Sequence, residues 1–227
     1  MPAQLLRLQA TPDLVDRVYR SLIDAISDGS LAPGQRITQE DIAGQLAVSR
    51  QPVLQALRLL KKDGFVEDAP GRGLQVALLD PEWMRKVYQV RGALDALAAR
   101  LAAQRRFRID PELIERGRAA ARGVDVMAMI DADLAFHAAL YAAAANPLIE
   151  QSAQLHWRHL RRVMGAVLQL AGQRETVWDE HQAIAKAIAA GDADTAARLI
   201  EDHGLRASDN LGERLVQVLQ ARAQLPS

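Results

Sequence analysis

The chain has 227 residues, with 28 Lys and Arg balanced by 28 Asp and Glu, and it contains no Cys. With 49% apolar and 25% charged residues it cannot be an intrinsically disordered chain, and its length predicts one large domain or two modest ones. The lack of Cys excludes disulfides, thiolate nucleophiles and cysteine-bound metals, which fits a reducing cytoplasm.

Aromatic residues make up only 4% of the chain, so its core must consist mainly of Ala, Leu, Val and Ile, a composition that favours helices over sheets. No apolar run reaches the ~20 residues that span a bilayer. Residues 1–10 also lack the apolar segment of a signal peptide. We therefore expect a cytoplasmic protein without a membrane partner.

The first domain is predicted to cover residues 1–79. Thr11-Pro12 predicts the start of a helix that Gly29 ends, and a short strand follows at 36–37. Thr38 caps a brief helix, Ala47-Val48 form a tight turn, and Ser49 begins a third helix.

Gly64 ends that third helix. Residues 65–67 and 74–76 then flank a Pro-Gly-Arg-Gly turn and predict a β-hairpin. This order of elements is that of a winged helix-turn-helix.

The second domain, residues 80–227, is predicted to be entirely helical. Asp80-Pro81 and Asp110-Pro111 have the pattern of an N-cap followed by a helix-starting proline. We expect an antiparallel bundle, which makes the protein mainly α. The predicted helices span 81–105, 111–122, 126–145, 148–171, 176–190 and 193–222.

The second helix of a helix-turn-helix inserts its N-terminal residues into the major groove of DNA. Here that helix begins Ser49-Arg50-Gln51, which offers a phosphate ligand, a partner for guanine and a partner for adenine. The alternative is a winged domain that contacts protein. We predict DNA contacts from Arg36, Thr38, Ser49, Arg50, Gln51, Gln55, Arg58 and Arg72.

The neutral net charge argues on its own against a nucleic-acid partner, because DNA-binding proteins tend to be basic. The distribution of charge changes that conclusion. Between residues 42 and 62 the chain carries Arg50, Arg58, Lys61 and Lys62 and no acidic residue. We therefore expect four unopposed positive charges beside the recognition helix and a shallow dependence of DNA affinity on salt.

The segments GSLAPG at 29–34, VSRQPV at 48–53 and GRG at 71–73 strongly resemble the GntR family of bacterial transcriptional regulators. The resemblance covers nearly all of residues 11–78 and implies a winged head that binds operator DNA. The chain departs from the family at Leu54 and Gln55, where the family usually has Arg-Glu. We therefore do not expect the operator to follow the common half-site of the family.

Histidines of the second domain form a candidate metal site. Asp133 and His137 are four residues apart, so a helix places them on one side, and His181 and His203 lie on two later predicted helices. Three imidazoles and a carboxylate suit Zn²⁺, Mn²⁺, Ni²⁺ or Fe²⁺. A single helical His is, however, more often a surface or core residue than a ligand.

The segments around Asp133–His137, Asn146-Pro147, Glu180-His181, Gly191-Asp192 and Asp202-His203 resemble the FCD effector domain, which defines the FadR branch of the GntR family. Metal-binding members of that branch place one Asp and three His at matching positions. The resemblance therefore implies a divalent metal, most simply Zn²⁺, held by these residues: Asp133, His137, His181 and His203.

The same resemblance implies a small organic acid as effector, bound at or beside the metal. Arg91 matches a family arginine that faces the pocket, and Asn146 and Arg158 complete the predicted effector site. Arg161 and Arg162 are weaker candidates. The competing interpretation of Arg91 is an ion pair with Asp95 on the helix surface, four residues away.

These features predict a metabolite-responsive regulator, most simply a repressor, that binds a short inverted repeat as a homodimer. One rival is a helical metalloenzyme that uses the same Asp/His cluster. Four protein ligands leave little room for catalysis, however, and the winged head would be idle in an enzyme. The other rival is a regulator that senses the metal itself.

Overall fold

A computed structural model describes residues 14–168 and 175–223. Backbone contacts divide the chain into two units, with the boundary between Leu78 and Leu79. We call them the winged unit and the helical unit. The predicted start of the first helix at Thr11-Pro12 and the predicted connection between the helices at 148–171 and 176–190 lie outside the described residues.

Within residues 14–78, the winged unit contains three helices and a small sheet, in the predicted order. One face of each helix is apolar, and Ile23, Val53, Leu57 and Leu60 are among the least exposed side chains of the core. The elements are α1 Leu14–Ser27, β1 Arg36–Ile37, α2 Gln39–Leu46, α3 Arg50–Lys62, β2 Val66–Asp68 and β3 Leu74–Val76.

Local chemistry sets the helix ends in this unit. The Thr38 hydroxyl accepts a hydrogen bond from the Asp41 backbone N–H at 3.1 Å and donates to the Asp41 carboxylate at 2.7 Å, which caps α2. Ala47 has φ 52° and turns the chain from α2 into α3. Gly64 has φ 78° and ends α3, because the left-handed conformation strains other residues. All three predicted features are confirmed.

The three strands form an antiparallel sheet in the order β1-β3-β2. Val66 pairs with Val76 and Asp68 with Leu74, so β2 and β3 form the predicted hairpin. Its tip is the predicted Pro-Gly-Arg-Gly turn, in which Gly71 and Gly73 both have positive φ. This hairpin is the wing.

The described part of the helical unit contains six helices, and the side chains of Asp80, Asp110, Asp125 and Asn146 cap four of them. Described helix ends lie within about one residue of the predictions, except that α7 ends at Val167. The predicted end at residue 171 is not described. The helices are α4 Pro81–Gln104, α5 Pro111–Arg122, α6 Val126–Ala144, α7 Pro147–Val167, α8 Glu175–Ala190 and α9 Ala193–Ala223.

Helix α6 packs against α4, α5 and α7. Its Ile130, Phe136 and Leu140 side chains are fully buried. Among the described residues, α6 is the one helix that is long and apolar enough to cross a membrane. A third of that stretch is buried, and it contributes the buried His137 to the interior of the unit.

Candidate metal centre

One aspartate and three histidines from three helices converge in the interior of the helical unit. Asp133 and His137 lie one turn apart on α6, while His181 comes from α8 and His203 from α9. One potential ligand atom from each lies within 4.8 Å of the others. Nothing in the sequence spacing between α6, α8 and α9 requires this, so the convergence is a product of the fold.

The distances in this cluster suit a small divalent cation. Nε2 of His181 lies 3.3 Å from Nε2 of His203 and 3.5 Å from Oδ1 of Asp133. Ligand atoms at ~2.0–2.1 Å from a tetrahedral zinc ion are about 3.3 Å apart. Nitrogen and oxygen donors of this kind also suit nickel, manganese and iron. The residues therefore fit the metal that the sequence implied.

Burial keeps two of the imidazoles in the neutral form that a metal requires. Desolvation lowers the pKa of His137 below its usual value, and the nearby Arg91 guanidinium lowers it further. Desolvation also lowers the pKa of His181 well below its usual value, with added repulsion from His203, His137 and Arg91. The ring of His181 stacks on Phe136, with centroids 4.1 Å apart.

His203 is oriented by a carboxylate from the neighbouring helix. Its Nδ1–H donates to Glu180 at 2.7 Å, and the other Glu180 oxygen accepts from Nε of Arg206 at 2.7 Å. Partial burial alone would raise the pKa of Glu180, but the hydrogen bonds from His203 and Arg206 lower it. The Nε2 atom of His203 consequently faces the cluster.

Arg91 takes part in a buried ion pair on the other side of His137. Its Nε lies 2.9 Å from Oδ2 of Asp95, and the two side chains are only 2% and 1% exposed. The alternative interpretation placed an Arg91–Asp95 ion pair on the helix surface, and this location is wrong. The two residues do pair, but α4 turns this face toward α6 and α7.

Aromatic rings hold the Arg91 guanidinium in place. It lies 4.0 Å from the centroid of the Trp157 ring, and its Nη2 is 2.9 Å from Nε2 of His137. Asp95 also accepts a hydrogen bond from the Tyr141 hydroxyl, which in turn accepts one from the Trp157 indole at 3.1 Å. The buried carboxylate is thus fully partnered.

The pKa shifts in this network reflect that pairing. Burial alone would raise the pKa of Asp95, but the Arg91 guanidinium holds it well below its usual range. Burial raises the pKa of Tyr88, whose ring also lies beside Arg91, to about 12. The network therefore carries one positive and one negative charge at neutral pH.

A cavity of about 330 Å³ adjoins the cluster. Asp133, His203 and Arg91 line it, whereas His137 and His181 are buried behind its wall. Asn146 caps α7 by accepting from the Leu148 N–H, and neither it nor Arg158 is among the described residues that line this cavity. Effector roles for Asn146 and Arg158 stay predictions.

All eight predicted DNA contacts are exposed in the winged unit. Within the described residues Ser49 makes no side-chain capping bond, although its backbone has the extended conformation of an N-cap. Thr38 caps α2. Gln51, Gln55 and Arg58 lie on exposed positions of α3.

The prediction of four unopposed charges beside the recognition helix is wrong. Arg50 forms an ion pair with Glu40 of α2, and Lys61 lies 2.6 Å from Asp68 of β2. Both acidic partners lie outside the segment 42–62 and approach it only in the folded chain. The local positive charge is smaller than the sequence indicated.

Arg36 supports the wing. Its guanidinium donates to the backbone oxygens of Arg72 at 2.9 Å and of Pro70 at 2.7 Å. These bonds join β1 to the tip of the hairpin and fix the position of Arg72. A direct DNA contact from Arg36 stays a prediction.

Sequence reasoning did not assign roles to several residues around the cluster. Asp95 was considered only as a surface partner, and Tyr141, Glu180, Arg206 and Arg214 were not considered as site residues. In the sequence, Glu180 is noticeable only because it precedes the predicted ligand His181. Its hydrogen bond with His203 depends on the packing of α8 against α9, which the sequence does not reveal.

Two family models match the chain, and together they cover both units. The model "Bacterial regulatory proteins, gntR family" matches residues 14–76, and the model "FCD domain" matches residues 86–206. A winged head and an all-helical unit with this cluster define a DNA-binding transcriptional regulator. The chain belongs to the GntR family and carries an FCD domain; it is not an enzyme.

Similar proteins agree with that assignment. An HTH-type transcriptional regulator from the TAR-I ttuE-ttuC' intergenic region of Agrobacterium vitis is 30% identical over 139 residues, 58% of this chain and 81% of that protein. A Paenarthrobacter nicotinovorans protein named "Probable D-xylose utilization operon transcriptional repressor" is 27% identical, covering 89% and 90%. A GntR regulator structure from Rhodococcus sp. RHA1 has TM-score 0.68 and 25% identity, covering 87% and 96%.

Proposed function

We propose that this chain is a cytoplasmic transcriptional repressor whose binding to operator DNA is controlled by a small organic acid at a divalent-metal site. The observation that carries the proposal is the convergence of Asp133, His137, His181 and His203 beside an arginine-lined cavity. Membership of a family of DNA-binding regulators accounts for the binding to operator DNA. The cluster would account for the binding of a specific effector.

The cluster would hold the metal, most simply Zn²⁺, with Ni²⁺, Mn²⁺ and Fe²⁺ as alternatives of similar ligand preference. When bound, the cation supplies positive charge and coordination positions for a carboxylate in a buried cavity. The carboxylate of Glu180 lies beside His203, and that of Asp95 lies beside His137. Carboxylates in such positions orient metal-binding imidazoles.

The effector carboxylate would meet Arg91 and the metal at the inner end of the cavity. Arg91 is already oriented by Asp95 and Trp157, so its direction is set before an effector arrives. Pre-orientation reduces the entropy lost on binding. Asn146 and Arg158 remain further candidates for effector contacts.

Operator recognition would use the exposed residues of the winged unit. Ser49, Arg50, Gln51, Gln55 and Arg58 lie on or at the start of α3, the helix that enters the major groove in this fold. We assign phosphate or base contacts to them and to the exposed Thr38 and Arg72, and we propose that Arg36 acts by holding the wing that carries Arg72.

A homodimer would present two winged heads to an inverted repeat. In the helical unit, Trp83, Val90 and Leu97 of α4 leave large apolar side chains exposed, by 49%, 50% and 43%. Exposed apolar groups along one helix support an interface with a second copy. The repressor assignment draws on the name of the Paenarthrobacter relative.

A DNA-binding assay tests this proposal. Metal-stripped and zinc-loaded protein are titrated onto operator DNA, with and without a panel of small carboxylates. We expect at least one carboxylate to change the affinity tenfold or more with zinc-loaded protein only. A response to zinc alone would identify a metal sensor instead, and a carboxylate response that survives metal removal would contradict the metal-dependent mechanism.

A further inference from the structure

The cavity beside the metal cluster has a second positively charged end. Four polar side chains of α9 line it in one column, at spacings of three and four residues that place them on one helix face: His203, Arg206, Asn210 and Arg214. The column begins at the metal cluster with His203. It ends at Arg214, about 16 Å further along the helix axis.

Arg214 differs from the other two arginines of the cavity in having no acidic partner among the side chains that the structure describes. Arg91 is paired with Asp95, and Arg206 with Glu180. Arg214 is half-buried, and among the described side chains of residues 14–168 and 176–221 it forms no ion pair. A half-buried guanidinium that faces a cavity without a counter-charge favours an anionic ligand.

The charges around the cavity indicate how many negative charges a ligand would carry. Among the described side chains, the three arginines of the cavity are balanced by three carboxylates, those of Asp133, Glu180 and the Asp95 that pairs with Arg91. A divalent cation in the cluster would leave two positive charges unbalanced. A ligand with two carboxylates would neutralise both.

The wall between the two charged ends is largely apolar. Met129, Met164, Leu168, Trp178 and Leu211 contribute to it, and they suit a hydrocarbon segment between two polar groups. Asn210 and Arg214 also lie beyond residue 206, where the match to the FCD family model ends. The outer end of the cavity is therefore a part of this chain that the shared domain sequence does not prescribe.

From these observations we infer that the effector is a dicarboxylate, with one carboxylate at the metal cluster and the other on Arg214. The inference rests on the proposed function, since it requires an organic acid at the metal site. Beyond the proposed function, the inference specifies that the effector carries two carboxylates and that Arg214 selects for the second one.

Calorimetry on the full-length zinc-loaded protein tests the inference. The probes are glutarate, adipate and suberate, each compared with the monocarboxylate of the same carbon number: pentanoate, hexanoate and octanoate. We expect at least one dicarboxylate to bind tenfold or more tightly than its partner, because a charge-assisted hydrogen bond to arginine is worth that much.

The variant Arg214→Gln should reduce the preference to about twofold, and Arg214→Lys should retain part of it. Arg198→Gln is the matched control, because it removes the same charge from an exposed position of α9 outside the cavity. Zinc affinity and melting temperature, measured for every variant, show that the cluster and fold are intact.

Each result has one meaning. Equal binding of dicarboxylates and monocarboxylates, or a preference that survives in Arg214→Gln, would overturn the dicarboxylate inference and leave the proposed function standing. Failure of every acid to bind a protein that does bind zinc would refute the proposed organic-acid effector itself.

Discussion

The carboxylate of Glu180 lies 2.7 Å from Nδ1 of His203, and it joins α8 to α9 at the edge of the metal cluster. Because a carboxylate can only accept this hydrogen bond, Nδ1 carries the proton and Nε2 is left to face His181. The protonation of one ring nitrogen is thereby fixed by a residue outside the ligand set.

Replacing Glu180 should weaken metal binding without removing a ligand. We expect Glu180→Ala to lower zinc affinity about 10- to 100-fold, and Glu180→Gln to lower it less, since an amide oxygen still accepts from Nδ1. Chelator competition measures both. Glu201→Gln, at an exposed position of α9, should have no effect. Unchanged affinity in Glu180→Ala would show that His203 needs no such support.

Stability in the presence of chelator should fall as the pH drops below about 6.5. The pKa values of His137 and His181 are lowered in the folded protein. In the pH range between these lowered pKa values and the usual histidine pKa, the unfolded chain therefore binds more protons than the folded protein does. The free energy of unfolding therefore rises with pH in this window, by up to about 1.4 kcal/mol per pH unit for each histidine.

Urea denaturation in EDTA between pH 7.5 and 5 measures this slope. His181→Gln should reduce it, whereas His156→Gln, outside the cluster, serves as the control. A pH-independent unfolding free energy over this range would contradict the neutral, buried state of the two imidazoles.

Gly117 allows α5 to approach α8 closely. A Cβ at this position would overlap the Trp178 ring, which in turn packs edge-on against His181 with centroids 4.7 Å apart. Gly117→Ala should cost about 1–3 kcal/mol of unfolding free energy by overpacking, and it should alter tryptophan fluorescence.

The matched control is Gly165→Ala on α7, where a Cβ meets no atom within 4 Å among those considered in the described chain. This change should be neutral or stabilising by up to about 1 kcal/mol, because alanine favours helix. Equal stabilities of the two variants would refute the close packing at Gly117.

Arg36 should support operator binding through the wing. If its bonds to the backbone oxygens of Pro70 and Arg72 are what matter, Arg36→Ala should lower operator affinity about five- to tenfold, but only while Arg72 is present. A double-mutant cycle of Arg36→Ala and Arg72→Ala, measured by fluorescence anisotropy, tests this. Arg20→Ala on the exposed face of α1 is the control. Fully additive losses would instead make Arg36 an independent DNA contact.

Features that depend on local sequence could be predicted. Aspartate before proline marked the starts of α4 and α5, and the four-residue spacing of Asp133 and His137 placed them on one side of α6. The resemblance to FCD domains then connected that pair to His181 and His203, which spacing alone could not do.

Features that depend on packing between helices could not be predicted. The Arg91–Asp95 pair was expected from its spacing, but only the phase of α4 decides that it is buried. The ion pair of Arg50 with Glu40 joins two helices across a turn. The charge pattern of residues 42–62 alone therefore wrongly predicted that Arg50 is unopposed. Glu180 acquires its role from a neighbouring helix.

Metal titration of the cluster tests the central claim most directly. Chelator-stripped wild-type protein, titrated with Zn²⁺ in a calorimeter, should bind one ion per chain, and His137→Ala and His181→Ala should each weaken that binding at least 100-fold while the winged unit still folds. His156→Gln should bind as wild type. Unchanged zinc affinity in both cluster variants would contradict the claim that Asp133, His137, His181 and His203 form the metal site.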